Sequence, residues 1–255
     1  MSTHVTCSNF GWRLGNQLFQ FATLFSYSSK KNKKIILLNA SKHEHIFKCF
    51  DINLVEFADK IVTSQSFKER KFSFNDSLFH NEYDNIIGYF QTEKYFNSCA
   101  DAIKQALIFR EFGKNYNNKC FIHVRRGDYL KYPNIHPVCS EQYYSSSIDI
   151  IRQKYGSNME FIVFSDDIAA CKSYQCFKQN NISFEESTNA YHNLQSMTTC
   201  SCGIIANSSY SWWGAWLMTN VDSTIIAPKI WFGAKDPTPK DTCDIYCADW
   251  IINGT

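Results

Sequence analysis

Apolar positions along the first forty residues follow two different periods. Leu14, Leu18, Phe21, Ala22 and Phe25 recur at spacings of three and four, which predicts one buried face of a helix. Before it, Val5 to Cys7 reads as a short extended segment, and Gly11 and Gly15 bracket a turn. The polar run from Ser28 to Lys34 ends the helix. Ile35 to Leu38 is then a continuous apolar run of the kind a buried strand carries. Strand, glycine turn, helix and strand together make a βαβ start. Residues 41–85 show no clean period. Ile86 to Phe90 reads as a strand end, and Glu93 to Phe109 as a helix with Phe96, Ala100, Ile103 and Leu107 on one face.

The polar, turn-rich stretch from Gly113 to Lys119 predicts a boundary between domains at 1–112 and 119–255. Beyond it the alternation is regular. Strands are expected at Cys120 to Val124, Phe161 to Phe164, Asn181 to Phe184, Gly203 to Ala206 and Thr224 to Ala227. Helices are expected at Glu141 to Tyr155, from about Ile168, at Tyr191 to Thr199 and at Trp212 to Met218. Such alternation implies a parallel sheet covered on both faces, with ligands at the carboxyl ends of its strands. No internal repeat is visible.

Composition narrows the class. With 44% hydrophobic residues in 255, the chain can bury a large core. A net charge of +2 argues against a general nucleic-acid binder, while leaving room for a local anion site. No apolar run approaches the ~20 residues a membrane span needs, and Met1 to Phe10 lacks the apolar region of a signal peptide. A cytoplasmic protein is expected, with peripheral membrane contact left open. Eleven cysteines at irregular spacings read as small hydrophobes in such a compartment. The alternative is a zinc staple from Cys200, Cys202, Cys243 and Cys247.

Three strand ends carry candidate chemistry. His123-Val124-Arg125-Arg126-Gly127-Asp128 places two guanidinium groups where a strand meets its ligand, and guanidinium forks suit phosphate. The plain alternative is a salt bridge from Arg126 to Asp128. Asp166 and Asp167 end the next strand; they either cap the following helix or hold a divalent metal. At Asn207-Ser208-Ser209-Tyr210-Ser211-Trp212-Trp213, hydroxyls and backbone N–H groups at a helix start make an anion site, or Ser209 or Ser211 simply caps the helix. The tryptophans there fit a core better than a sugar platform. The turn from Gly11 to Gln17 also opens a helix, but lacks the third glycine of a dinucleotide fingerprint.

Taken together, these segments resemble glycosyltransferase family 11, the α-1,2-fucosyltransferases. The resemblance rests on Gly11-Trp12-Arg13-Leu14-Gly15-Asn16-Gln17-Leu18-Phe19-Gln20, Gly88 to Phe96, His123 to Tyr129, Ser165-Asp166-Asp167, Cys200 to Leu217, Ala227 to Phe232 and Trp250-Ile251. It implies an α/β fold of the GT-B type, two Rossmann-like domains facing across a cleft. It implies transfer of fucose from GDP-fucose to a glycan hydroxyl, O-2 of a galactoside, with inversion and with no cofactor or metal. The expected partners are GDP-fucose and an oligosaccharide or glycoconjugate acceptor.

The resemblance also implies site residues. Arg125 would stabilise charge on the departing β-phosphate, with Arg126 beside it. Ser208 and Ser209, with their backbone N–H groups, would hold phosphate oxygens, and Asn207 would lie in the donor site beside them. His123, Asp166 and Asp167 would lie near the nucleoside, and Asn16 and Gln17 near the acceptor. Asp128 either serves as base or braces the arginines. Asn193 stands where the family carries an aspartate that reads guanine; an amide offers one acceptor oxygen where a carboxylate offers two. Glu185 or Glu186 could share that task. The competing readings are a catalytically silent sugar-nucleotide or glycan-binding protein, and a fucosyltransferase of other linkage or other GDP-sugar.

Overall fold

In the computed structural model, which describes residues 2–220, 222–235 and 241–254, the chain forms two compact units. One comprises Met1–Arg110 with Thr238–Cys247, the other Glu111–Pro237 with Ala248–Thr255. The stretch through Cys247 is tied to the first unit by Asp244, which accepts from the Phe74 N–H at 2.9 Å and pairs with Lys94.

The first unit is built on β1 (His4–Val5), α1 (Leu14–Lys31), β2 (Lys34–Leu38), β3 (Val55–Ala58), β4 (Ser66–Lys68) and β5 (Asn85–Ile87). Strand β1 pairs with β2 and β2 with β3, all parallel. Strand β4 pairs parallel with β5, and Thr6, just beyond β1, bridges Asn85. The spatial order is therefore β3-β2-β1-β5-β4. The chain runs outward from β1 to β3, then returns on the other flank. In α1 the predicted face is buried at Leu14, Leu18, Phe21 and Ala22. The helix stops at Asn32, whose left-handed φ of 50° and N–H to the Ser28 carbonyl close the last turn. Lys30 and Lys31 in that turn suit its negative pole.

The helix expected over Glu93 to Phe109 is shorter. Two 3₁₀ turns, Glu93–Tyr95 and Asn97–Cys99, precede a helix at Ala100–Ala106. Phe96 leaves helical geometry at φ −140°, and Ile108–Phe109 instead pairs antiparallel with Phe50–Asp51. The sheet bonds and the Phe50–Phe109 ring contact at 4.5 Å override the helical period.

The second unit holds β6 (Lys119–Val124), α2 (Glu141–Tyr155), β7 (Glu160–Ser165), β8 (Ile182–Phe184), α3 (Ala190–Thr198), β9 (Cys202–Ile204), α4 (Ser209–Trp216), β10 (Thr224–Pro228) and β11 (Ile251–Asn253). All six strands are parallel, in the order β8-β7-β6-β9-β10-β11. Alternate residues of β6 serve opposite faces. Cys120, Ile122 and Val124 pack with Tyr143, Tyr144, Ile148 and Ile151 of α2. On the other face, Gly203 admits the Phe121 ring, which any Cβ there would strike. Helix α2 starts at Ser140, whose Oγ accepts from the Tyr143 N–H at 3.1 Å, and ends at Gly156 with φ 97°. Trp212 and Trp213 are fully buried and Trp216 nearly so, so all three are core. Removing one such ring typically costs about 3–5 kcal/mol.

No cysteine is bridged; Cys200 and Cys202 are buried thiols of the second unit, and Cys243 is exposed in the first. Among the described residues no three His, Cys, Asp or Glu side chains are grouped to hold a metal ion. Among them, too, no helix is long and apolar enough to cross a membrane.

Candidate active site

In the second unit the chain steps from β6 out through β7 to β8, then places β9 on the opposite flank of β6. Such a reversal opens a crevice at the carboxyl ends of the two central strands. Ile122 of β6 lies level with Ile204 of β9, so the loops leaving these strands are neighbours. One carries Arg125, Arg126 and Asp128; the other carries Asn207 and Ser208. Motifs about eighty residues apart in sequence thus meet by topology.

The arginines are held by carboxylates from β7. Val124 pairs with Ser165, which sets the aspartates that follow Ser165 beside the residues that follow Val124. Arg125 Nη1 meets Asp166 at 2.8 Å, and its Nη2 pairs with Asp128. The Arg126 backbone N–H donates to Asp166 Oδ1 at 2.9 Å. Its Nε donates to Asp167 at 3.0 Å and its Nη1 to the Tyr174 hydroxyl at 2.8 Å. Hydrogen bonding to Asp167 raises the Arg126 pKa, and the same contact, with the Ala170 N–H, lowers that of Asp167. Asp167 also caps the short helix at Ile168–Cys171, as the plain reading held. Arg126 pairs with Asp167 and not with Asp128. Gly127 fits because any Cβ there would run into the Asp166 carboxylate. Asp128 is ion-paired with Arg125, which favours bracing over a role as base.

Tyr129 ties the two loops together. Its hydroxyl donates to the Asn207 carbonyl at 2.8 Å, and the Arg125 guanidinium lies 5.6 Å from its ring centre. The His136 ring stacks on it at 4.9 Å. Burial pushes the Tyr129 pKa up to about 12, so it remains a donor. The Asn207 amide itself is buried and donates to the carbonyls of Pro137 at 2.9 Å and Trp231 at 3.0 Å. Asn207, expected in the donor site, thus spends its side-chain N–H groups on shaping the loop. Ser208 sits at the N-cap of α4 without a side-chain cap, and Ser211 Oγ turns back to the Ser208 carbonyl at 3.3 Å. The serine-capping alternative thus fails. What remains at the start of α4 is Ser209 with the N–H groups of a first helical turn, which face outward from the helical ladder.

His123 is buried and its Nδ1 has no partner among the described residues. Burial, then the Arg125 charge, lowers its pKa to about 3, so the imidazole is neutral near pH 7. Its ring lies 5.4 Å from that of Tyr210. Asn193, on α3, donates through Nδ2 to the Ser187 carbonyl at 2.9 Å, which leaves Oδ1 as its acceptor. Glu185 is buried and accepts from Lys114 at 3.0 Å, the Tyr116 hydroxyl at 2.6 Å and the Ser187 N–H at 2.9 Å. Glu186 pairs with Lys172 at 2.6 Å.

The first unit has its own reversal at β1, and the turn through Gly11 to Arg13 leads from it into α1, which carries Asn16 and Gln17. Gln17 is fully buried: Nε2 donates to the Trp12 carbonyl and to Glu44, both at 2.7 Å, and Oε1 accepts from the Ile46 N–H at 2.9 Å. Such a side chain presents no surface to an acceptor, so the expected role of Gln17 is corrected to holding the loop. Asn16 is half-buried; its Oδ1 accepts from Gln91 Nε2 at 2.8 Å. Gln91 lay inside a motif at the sequence level without being singled out. Glu69 gave no signal there; it accepts from the Tyr89 N–H at 2.7 Å and from the Phe90 N–H at 3.1 Å. These bonds hold a turn in which Phe90 takes a φ of 56°.

Comparison with known proteins bears on the family and the fold. The family model for Glycosyl transferase family 11 matches residues 60–253. The chain is 29% identical to an alpha-1,2-colitosyltransferase of Escherichia coli, over 90% of this chain and 93% of that one. It is 24% identical to the galactoside 2-alpha-L-fucosyltransferase Sec1 of Mus musculus over 84% of this chain, which spans 64% of that longer protein. Among solved structures, the fucosyltransferase NodZ from Bradyrhizobium superposes with a TM-score of 0.55 at 10% identity, over 84% of this chain and 93% of that one. At that identity the likeness is one of fold, and the fold is the GT-B type of α/β architecture that the sequence led us to expect. With the family model covering most of its length, the chain belongs to glycosyl transferase family 11 and is a glycosyltransferase.

Proposed function

We propose that the protein transfers fucose from GDP-fucose to a glycan hydroxyl, O-2 of a galactoside, with inversion and without a metal ion. The observation that carries this reading is the paired-arginine loop beside the start of α4 at the second unit's reversal point. Breaking the bond between fucose and GDP leaves negative charge on the β-phosphate. Arg125 supplies a permanent positive charge for it. Its Nη2 and Nη1 pair with Asp128 and Asp166, which leaves Nε to meet phosphate. Arg126, fixed by Asp167 and Tyr174, adds charge to the same loop. The Ser208 and Ser209 region of α4 adds N–H donors and the positive pole of a helix. Asp166 and Asp167 then act as arginine partners rather than metal ligands. Asn193 Oδ1 and neutral His123 belong to the nucleoside side, and Asn16 to the acceptor side.

One observation favours a second reading of the donor. A relative matched over 90% of this chain is named for colitosyl transfer. Colitose is fucose without its 3-hydroxyl, so the two donors differ at one group. The test is an assay with GDP-fucose and GDP-colitose in parallel on β-galactoside acceptors, with and without saturating EDTA, the product linkage read by NMR. We expect transfer from GDP-fucose, an α-1,2 product and activity that survives chelation. Transfer from GDP-colitose alone gives the second reading. Loss with EDTA and recovery with Mn²⁺ or Mg²⁺ returns Asp166 and Asp167 as ligands.

A further inference from the structure

Five of the six tryptophans are at most 9% exposed, whereas Trp12 is 64% exposed. A large apolar ring left in water forgoes the burial that usually fixes its place. The backbone at Trp12 is also in the left-handed region, at φ 73°, where bulky side chains are rare. The loop is held in this state rather than slack. The Gly11 N–H donates to Gln20 Oε1 at 3.1 Å, and Gln17 Nε2 donates to the Trp12 carbonyl at 2.7 Å. Gln17 and Gln20 are fully buried, three residues apart on α1, and grip the peptide on both sides of the ring. Strained backbone persists where its surroundings over-determine it, and such places cluster at ligand clamps. The indole is braced from one side. The Tyr89 ring lies 5.9 Å from it, and Tyr89 stacks on buried Phe72, also at 5.9 Å. The loop leaves the carboxyl end of β1, where parallel sheets take ligands, and Asn16 follows four residues later.

We propose that Trp12 is the stacking platform for the acceptor, and that its occupant is a neutral hexopyranoside. The C–H face of the sugar ring packs on the indole, while amides such as Asn16 meet its hydroxyls. This deepens the functional reading above and rests on its assignment of the acceptor to the first unit.

The test reads Trp12 directly. With the other tryptophans buried, acrylamide quenching of the full-length protein reports mainly on this ring, and Trp12→Phe provides the baseline. Methyl β-D-galactopyranoside and GDP are titrated separately. We expect the galactoside to lower the quenching constant severalfold and GDP to leave it unchanged. Trp12→Gly keeps the positive φ without the ring. It should raise the acceptor KM about tenfold, while the donor KM and hydrolysis of GDP-fucose without acceptor stay as in the parent. Unprotected Trp12 in the presence of a galactoside that the parent enzyme does fucosylate overturns the inference and leaves the functional reading standing. So does an unchanged acceptor KM in Trp12→Gly. Protection by GDP alone makes Trp12 a nucleobase platform and overturns it too. Failure of the parent to transfer to any glycan overturns the functional reading, and this inference with it.

Discussion

At its reversal point the second unit builds with ions. Arg125 and Arg126 each meet a carboxylate, and three aspartates from two loops hold two guanidinium groups. The first unit builds the equivalent region with amides, most of them buried. Gln17, Gln20, Asn16 and Gln91 hold backbone or one another, and its carboxylates Glu44 and Glu69 face amide N–H donors instead of guanidinium. Two loops at matching places in similar sheets are thus fixed by different chemistry. The difference suits what each is proposed to meet: a diphosphate requires charge that is already balanced and aimed, and a neutral sugar requires directional hydrogen bonds and an apolar face.

The comparison can be broken first at its most charged point. Arg125→Ala should lower kcat on the order of 100- to 1000-fold, the usual cost of losing one electrostatic donor to a developing anion. Thermal stability, measured alongside, should fall only slightly, since the ion pairs are partly solvated. More than a tenth of the parent activity would remove Arg125 from the charge-stabilising role.

Glu69 probes the amide-built loop. Burial raises its pKa from 4.5 to about 7, against the N–H bonds from Phe90 and Tyr89 that lower it. The folded carboxyl therefore holds its proton more tightly than the unfolded one. The resulting stability is complete below about pH 4.5 and is lost as the pH rises through about 7, on the order of 3 kcal/mol in all. Glu69→Gln does not titrate, so its stability relative to the parent should climb across that window. Urea unfolding of both proteins at several pH values checks this; parallel curves would mean that Glu69 is solvated.

Tyr129→Phe removes the bond that joins the arginine loop to the loop after β9 and leaves the Asn207 carbonyl without its phenol donor. We expect a loss of about 1–2 kcal/mol in stability and a raised donor KM, with the acceptor KM unchanged. Equal changes in both KM values would show that Tyr129 does not act locally. The smallest effect is at Asn193. Asn193→Asp gains an acceptor toward guanine but loses the donor to the Ser187 carbonyl. GDP should bind up to about tenfold more tightly, with sharper discrimination against IDP. Calorimetry with both ligands decides, and unchanged discrimination places Asn193 away from the base.

Sequence pattern served best where burial is continuous. Cys120 to Val124 lies in the middle of a sheet and reads as an apolar run interrupted only by His123, so both the strand and its ligand end were legible. The edge strand Ile182–Phe184 was also found, but Ser66–Lys68 and Ile251–Asn253, likewise short and at sheet edges, were not. In Ser66–Lys68 only Phe67 is buried, which leaves no period to detect. In Ile251–Asn253 the pattern is inverted: both isoleucines are exposed and Asn253 is buried, drawn in by the hydroxyls of Ser146 at 2.8 Å and Ser147 at 2.9 Å. The arginines could be found from residue type and strand end. Their carboxylate partners depend on the register of β6 against β7, which no local pattern encodes. Gln17 was misread because a polar residue at a helix start usually faces water. Its partners Glu44 and Ile46 come from the stretch with no period, so nothing in the sequence announced its burial.

Helix α4 is wedged in place by its own rings. Trp212 stacks 6.3 Å from Trp216 and lies 5.4 Å from Trp250, and Trp213 meets Trp216 at 5.0 Å. Of these contacts only the one with Trp250 reaches outside the helix, but Trp212 and Trp213 are fully buried, and that burial resists sliding or turning toward a ligand. In the proposed reaction, a phosphate seated at its start would be held by a packed helix while the sugar–phosphate bond stretches. The travelling atom is then the anomeric carbon, which carries the sugar toward the acceptor oxygen.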